Sequence, residues 1–318
     1  MYNMDRLYEA VAKRGNVCVG LDTSPDYVPP LERQKASSGA EAVFNYNTAI
    51  VDATADIAAC FKVQIAYYEA LGIEGLACFA KTLRYIRDRG SLVISDIKRG
   101  DIADTARQYA KAHFEGCFET DFVTLSPYMG LDSIEPWLDY AERGGKGAFV
   151  LMRTSNRGMK DFEYLELKED GISPGGAAER APTNRARRLY DVVGEKLADL
   201  AGNRRGLHGY RVFGAVTGAD PKSGADREEA AAIRAGYPDL FFLIPGYGAQ
   251  GGAADDAALF LRDGNGGVVN ASRSILRAWA AGENGAPEKA GLTFAADAAR
   301  KAAEEMRDAI RKAAGQAG

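Results

Sequence analysis

Short apolar runs recur along the chain at 17–22, 60–66, 92–97, 122–126, 148–154, 210–217, 240–246 and 267–271, with helix-patterned stretches between them. Strand-length runs alternating with helical patterns predict βα units and a parallel sheet. Eight such units predict a closed (β/α)8 TIM barrel, with a doubly wound open sheet as the structural alternative. Polar residues interrupt the pattern mainly at the ends of runs. Asp22 ends the first, Lys62 and Gln64 share a face of the second, and Asp96 and Lys98 close the third. Thr154 and Ser155 end the fifth, a glycine-rich stretch at 246–252 follows the seventh, and Arg273 follows the eighth. In a barrel of this kind, reactive groups sit at the C-terminal ends of strands and phosphate is often held after strands seven and eight.

The pattern predicts one barrel domain over 1–318. A long loop at about 158–184 is charged and then rich in Gly, Ala and Pro. A terminal helix at about 293–318, built from Ala, Lys, Glu and Arg, is expected to be exposed and frayed at its end. No internal repeat or linker demands a second domain.

Composition narrows the classes. With 318 residues, 46% of them hydrophobic, the chain can bury a sizeable core. A net charge of −4 supplies no basic excess for nucleic acid. No run approaches the roughly 18 apolar residues of a membrane span, and residues 1–16 are charged, without a signal-peptide core. The scattered Cys18, Cys60, Cys78 and Cys117 suit reduced core thiols in a cytoplasmic protein rather than disulfides or zinc. Only His113 and His208 are present, which weighs against a histidine triad or a multi-histidine metal site; His113 is expected on a helix surface.

The densest chemistry lies in Ser95-Asp96-Ile97-Lys98-Arg99-Gly100-Asp101-Ile102, followed by Thr105. Alternation along a strand places Asp96 and Lys98 on one face. Gly100 ends the strand, and Asp101 stands where a helix can begin, one turn before Thr105. An acid–lysine–acid set is more than a strand end needs for stability. Lys62, inside an apolar run, is either on a wet edge strand or paired with Asp22 and Asp96 across strands about 4.8 Å apart. The stretch Ile244-Pro245-Gly246-Tyr247-Gly248-Ala249-Gln250-Gly251-Gly252 is either a turn or an anion cradle of backbone N–H groups. Arg273 at the next strand end, with its planar fork, favours the cradle. Thr154, Ser155 and Asn156 can read a polar ring edge or cap the following helix.

These motifs together resemble the orotidine 5′-monophosphate (OMP) decarboxylase family. The resemblance rests on Asp96-x-Lys98-x-x-Asp101-Ile102-x-x-Thr105 with Lys62 upstream, on 246–252, and on Ser272-Arg273-Ser274. Asp22-Thr23-Ser24-Pro25, Tyr67-Tyr68-Glu69 and Thr154-Ser155-Asn156 are similar to the longer bacterial branch. The resemblance implies a homodimeric (β/α)8 barrel with active sites shared between chains. It implies loss of CO2 from OMP to give UMP, the last step of de novo pyrimidine synthesis, with no metal or organic cofactor. It implies Lys98 as proton donor to C6, and Asp96 and the partner's Asp101 beside the departing carboxylate. Lys62 and Asp22 would complete the charged array and meet the ribose, with Ile102 and Thr105 reaching across from the other chain. Ser155 would read the pyrimidine, and Gln250, Gly251 and Arg273 would hold the phosphate. Two rivals are a magnesium-dependent sugar-phosphate decarboxylase or aldolase of the same suprafamily, and a nucleotide-binding relative without catalysis.

Overall fold

A computed structural model describes residues 1–167, 187–218, 227–248, 253–281 and 290–315. Each predicted run overlaps a strand: β1 Val17–Gly20, β2 Cys60–Gln64, β3 Leu92–Arg99, β4 Phe122–Leu125, β5 Gly147–Arg153, β6 Phe213–Thr217, β7 Phe242–Ile244 and β8 Gly267–Ala271. All neighbours pair in parallel, and β8 returns to β1, with Val17 opposite Val269, so the sheet closes into a barrel. The open-sheet alternative is thereby removed.

Alternation explains why the runs are apolar on both faces. Val17, Val19, Phe61, Val63, Val93 and Val123 pack outward under the helices. Cys18, Cys60, Ile94, Phe122, Phe149 and Val268 fill the barrel interior. Met4, Leu7 and Val11 of the helix Asn3–Arg14 join that interior cluster and close the N-terminal end of the barrel. Asp5 holds the start of this helix by accepting from the Tyr2 N–H at 3.2 Å. The opposite end, where the strands' C-termini converge, is left for polar groups.

Three local expectations are corrected. The helix Leu292–Ala313 is not simply exposed: Ala295, Ala299, Ala303, Met306 and Ile310 recur at helical spacing and are buried, with the helix against Gly39–Thr54. Alanines let the two backbones approach, while Arg300–Glu304 and Lys301–Glu305 pairs occupy the outer face. His113 is buried at 3% exposure and stacks on Phe118. Cys117 is exposed, unlike the buried Cys18, Cys60 and Cys78. Of the long loop, Arg157–Asp161 forms a 3-10 turn anchored by buried Met159, and Glu166 bridges to Arg188; 168–186 lies outside the described residues.

Candidate active site

The C-terminal mouth of the barrel carries a continuous row of alternating charges. Lys62 lies within β2, level with Gly20 on one side and Ile94 on the other. Its Nζ reaches Asp22 Oδ1 at 3.0 Å and Asp96 Oδ2 at 2.9 Å. Lys98 Nζ reaches the other Asp96 oxygen, Oδ1, at 2.6 Å. Ser272, just past β8, donates to Asp22 Oδ2 at 2.9 Å. Gly20 makes room for this contact, because a Cβ there would lie 2.0 Å from the Ser272 hydroxyl. The wet-edge reading of Lys62 is thus replaced by the paired one.

Burial alone would push the Lys62 ammonium toward its neutral form; the Asp22 and Asp96 carboxylates outweigh it and hold the pKa above the ordinary lysine value. Burial would likewise raise the Asp96 carboxyl, but Lys62 and Lys98 prevail and hold it well below the usual range. Asp96 also accepts from Gln64 Nε2 at 2.9 Å and from the Thr124 hydroxyl at 2.8 Å. Its two oxygens are therefore each held by one ammonium and one neutral donor.

Two connected compartments flank this row. One, of about 360 Å³, runs from Asp22, Lys62 and Lys98 past Tyr27 and Tyr67 to Gly246, Tyr247 and Arg273. The other, of about 180 Å³, has an apolar wall of Leu151, Val216 and Leu243, with Ser155 and Asn156 at its edge. Lys62, Asp96, Lys98, Pro245 and Asn270 belong to both. Ser155 lines the second compartment, and no side chain caps the short turn at Arg157–Asp161, so the capping alternative for 154–156 is not what is seen. Thr154 also lines this compartment, with its N–H and hydroxyl 2.8 and 2.7 Å from the Glu163 carboxylate. The next strand-end residue inward, Arg153, is buried and tied to Tyr164, Glu229 and the Gly218 carbonyl.

Not every predicted residue is gathered here. Asp101 precedes the helix Ala103–Phe114 rather than opening it, because Ile102 is extended (φ −65°, ψ 157°). Asp101 and Thr105 are therefore not related as residues on one helical face. Asp101 Oδ1 accepts from the Ile102 N–H at 2.8 Å, and Ile102 is 60% exposed. Among the described residues, Asp101, Ile102 and Thr105 line neither compartment of their own chain. Gln250 and Gly251 lie outside the described residues. Thr124 and Asn270 were not singled out from the sequence. Alternation could have found both: Thr124 is two residues beyond inward-facing Phe122, and Asn270 two beyond Val268.

Residues 15–285 match the model of the orotidine 5′-phosphate decarboxylase / HUMPS family. The chain belongs to that family. Among curated orotidine 5′-phosphate decarboxylases, one from Clostridium perfringens is 52% identical over 97% of this chain and 98% of its own length. One from Clostridium acetobutylicum is 50% identical over 97% and 99%. A solved Leishmania donovani OMP decarboxylase superposes with a TM-score of 0.71 at 30% identity, covering 99% of this chain and all of its own. The charged row thus sits at the strand ends of an OMP decarboxylase-family barrel.

Proposed function

We propose that this chain converts OMP to UMP and CO2, the last step of pyrimidine nucleotide synthesis, with its own side chains as the only catalytic groups. The observation that carries the reading is the position of the Asp96–Lys98 pair at the junction of the two compartments. A nucleotide fits such a junction. Its phosphate lies toward Arg273, Gly246 and Tyr247, its ribose against Asp22 and Lys62, and its base along Leu151, Val216 and Leu243 with Ser155 at the polar edge. C6 and its carboxylate then meet Lys98 and Asp96.

The bond from C6 to the carboxylate breaks and its electron pair stays on C6. The ring offers that pair no delocalisation. A fixed ammonium attracts the growing negative charge and then transfers one proton to C6, leaving UMP, CO2 and a neutral lysine that regains its proton from solvent. Asp96 holds the ammonium in place, and its own negative charge disfavours the bound substrate carboxylate. Lys62 lets Asp96 remain ionised despite burial. Both carboxylates of the row are occupied by ammonium groups, which supports chemistry without a metal. The barrier reduction required is on the order of 20 kcal/mol, so binding energy from the phosphate must contribute.

The exposed Ile102 and Thr105 and the half-buried Asp101, which line neither compartment of their own chain, support a homodimer in which these residues complete the site of the other chain. Free thiols at Cys18, Cys60 and Cys78 support a cytoplasmic setting; no helix among the described residues is long and apolar enough to cross a membrane. An absorbance assay with OMP in excess EDTA tests the activity. Full turnover is expected, with loss of CO2 release in a folded Lys98→Ala variant. A silent wild-type protein, or turnover restored only by magnesium, overturns the reading.

A further inference from the structure

The pairing of β3 with β4 breaks where the reactive pair lies. Ser95 is level with Val123 and Arg99 with Leu125, so four steps along β3 face two along β4. The surplus is taken up in a bulge at Asp96–Lys98, and Lys98 adopts φ +46°, a left-handed conformation that costs a lysine about 1 kcal/mol or more. A bulge of this kind removes ladder partners from backbone N–H groups. Here the Ile97 and Lys98 N–H groups both donate to one atom, the Thr124 hydroxyl oxygen, each at 3.0 Å. The same hydroxyl donates its proton to Asp96 Oδ1 at 2.8 Å, the oxygen that also holds Lys98 Nζ. Thr124 is 1% exposed.

A hydroxyl has two acceptor sites and one proton, and all three are used. From this we infer that Thr124 is a positioning residue for Lys98, setting the backbone from which the lysine springs and the carboxylate oxygen on which its ammonium rests. This rests on the decarboxylase reading for its effect on turnover, but its structural part does not. Among small side chains only the hydroxyls of threonine and serine offer this pattern. Valine leaves two N–H groups and one carboxylate lone pair unmet. Cysteine has a serine-like shape but a poor acceptor. Serine keeps all three bonds.

The test compares Thr124→Ser, Thr124→Cys and Thr124→Val in the full chain. Serine is expected to keep kcat within about threefold. Cysteine and valine are expected to lower kcat on the order of 10²-fold, the scale of an ångström-sized displacement of a reacting group, while KM for OMP and binding of UMP change by less than about threefold. Should the valine variant fail to fold, the serine–cysteine pair decides. Amide exchange at Ile97 and Lys98, followed by NMR, reads the structural part without substrate: protection is kept in Thr124→Ser and lost in Thr124→Cys. A wild type inert toward OMP with this exchange pattern defeats the decarboxylase reading and leaves the positioning role standing. Wild-type kcat in the cysteine variant, a loss confined to KM, or unchanged protection overturns the inference.

Discussion

Asp96 and Asp121 lie at opposite ends of the same region of the barrel and are equally buried, at 6% and 5% exposure. Their carboxyls nevertheless shift in opposite directions. Asp96 is held well below the ordinary range, because two ammonium groups outweigh the cost of burial. Asp121, just before β4, is pushed up, because burial prevails over its donors. Those donors are the Val93 N–H at 3.0 Å, the Asn3 side-chain amide at 3.3 Å and the partly exposed Arg6 guanidinium at 3.4 Å. Asp121 ties the N-terminal helix to β3 and β4 mainly with dipoles. Asp96 holds two ammonium groups. A fold can be fastened with the first arrangement. The second places two full charges, Lys62 and Asp96, out of water with a half-exposed Lys98 beside them, which is rarely worthwhile for stability alone, and it stands where substrate can reach it.

The sharpest way to break this contrast is to neutralise each carboxylate in turn. Asp96→Asn is expected to lower OMP turnover by on the order of 10²–10³-fold, with the protein still folded. Asp121→Asn is expected to leave turnover within about threefold and to cost about 1–2 kcal/mol of unfolding free energy, because an amide nitrogen would face existing donors. Steady-state kinetics beside denaturant unfolding measure both. Equal losses of activity would erase the distinction between the two ends.

Much of the Asp96 end is legible in the chain before any geometry, whereas Asp121 is unmarked in the sequence. Short continuous apolar runs locate every strand, since a strand buried on both faces has little freedom in composition. The lysine inside 60–66 leaves a wet edge or acid partners as its two readings, and the closed barrel, which has no edge, brings Asp22 and Asp96 to it. What stayed hidden depends on tertiary register or on weak signals. Thr124 sits in an apolar run and reads as strand filler until the bulge opposite it is known. The alanine stripe of Leu292–Ala313 is faint because alanine is common on exposed helices as well. His113 looked like a surface residue because its neighbours Lys111 and Glu115 are charged, whereas its own side chain turns toward Phe118. Asp101 reads as a helix start two residues too early, since a single extended residue, Ile102, separates it from the first turn.

If the proposed dimer is correct, the upper end is assembled from two chains while the Asp121 end belongs to one. Mixing Lys98→Ala chains with Asp101→Ala chains tests this. Random exchange yields heterodimers in which one of two sites has both native side chains, so about a quarter of full activity should return. Size-exclusion chromatography and exchange of tagged subunits verify that mixing occurred. No recovery after verified exchange would leave each site dependent on its own chain.

The smallest effect separates titration of the fold from titration of the site. Burial lowers the His113 pKa to about 4, with the charge of Arg99 adding to it. The folded chain therefore keeps this ring neutral at a pH where the unfolded chain, with an ordinary value near 6.5, takes up a proton. Stability from this residue is complete above about pH 6.5 and is lost as the pH falls toward 4, because the unfolded state binds more protons across that window. Between pH 7.5 and 5 the loss amounts to about 2 kcal/mol. Lowered Asp96 and raised Lys62 keep their charges throughout the same interval. Chemical denaturation at the two pH values should thus show a drop in the wild type that is smaller by about 2 kcal/mol in His113→Gln, with turnover per folded molecule following the same pH profile in both. An identical drop in the variant would mean that His113 is protonated in the folded chain and that another group governs the acid side of stability.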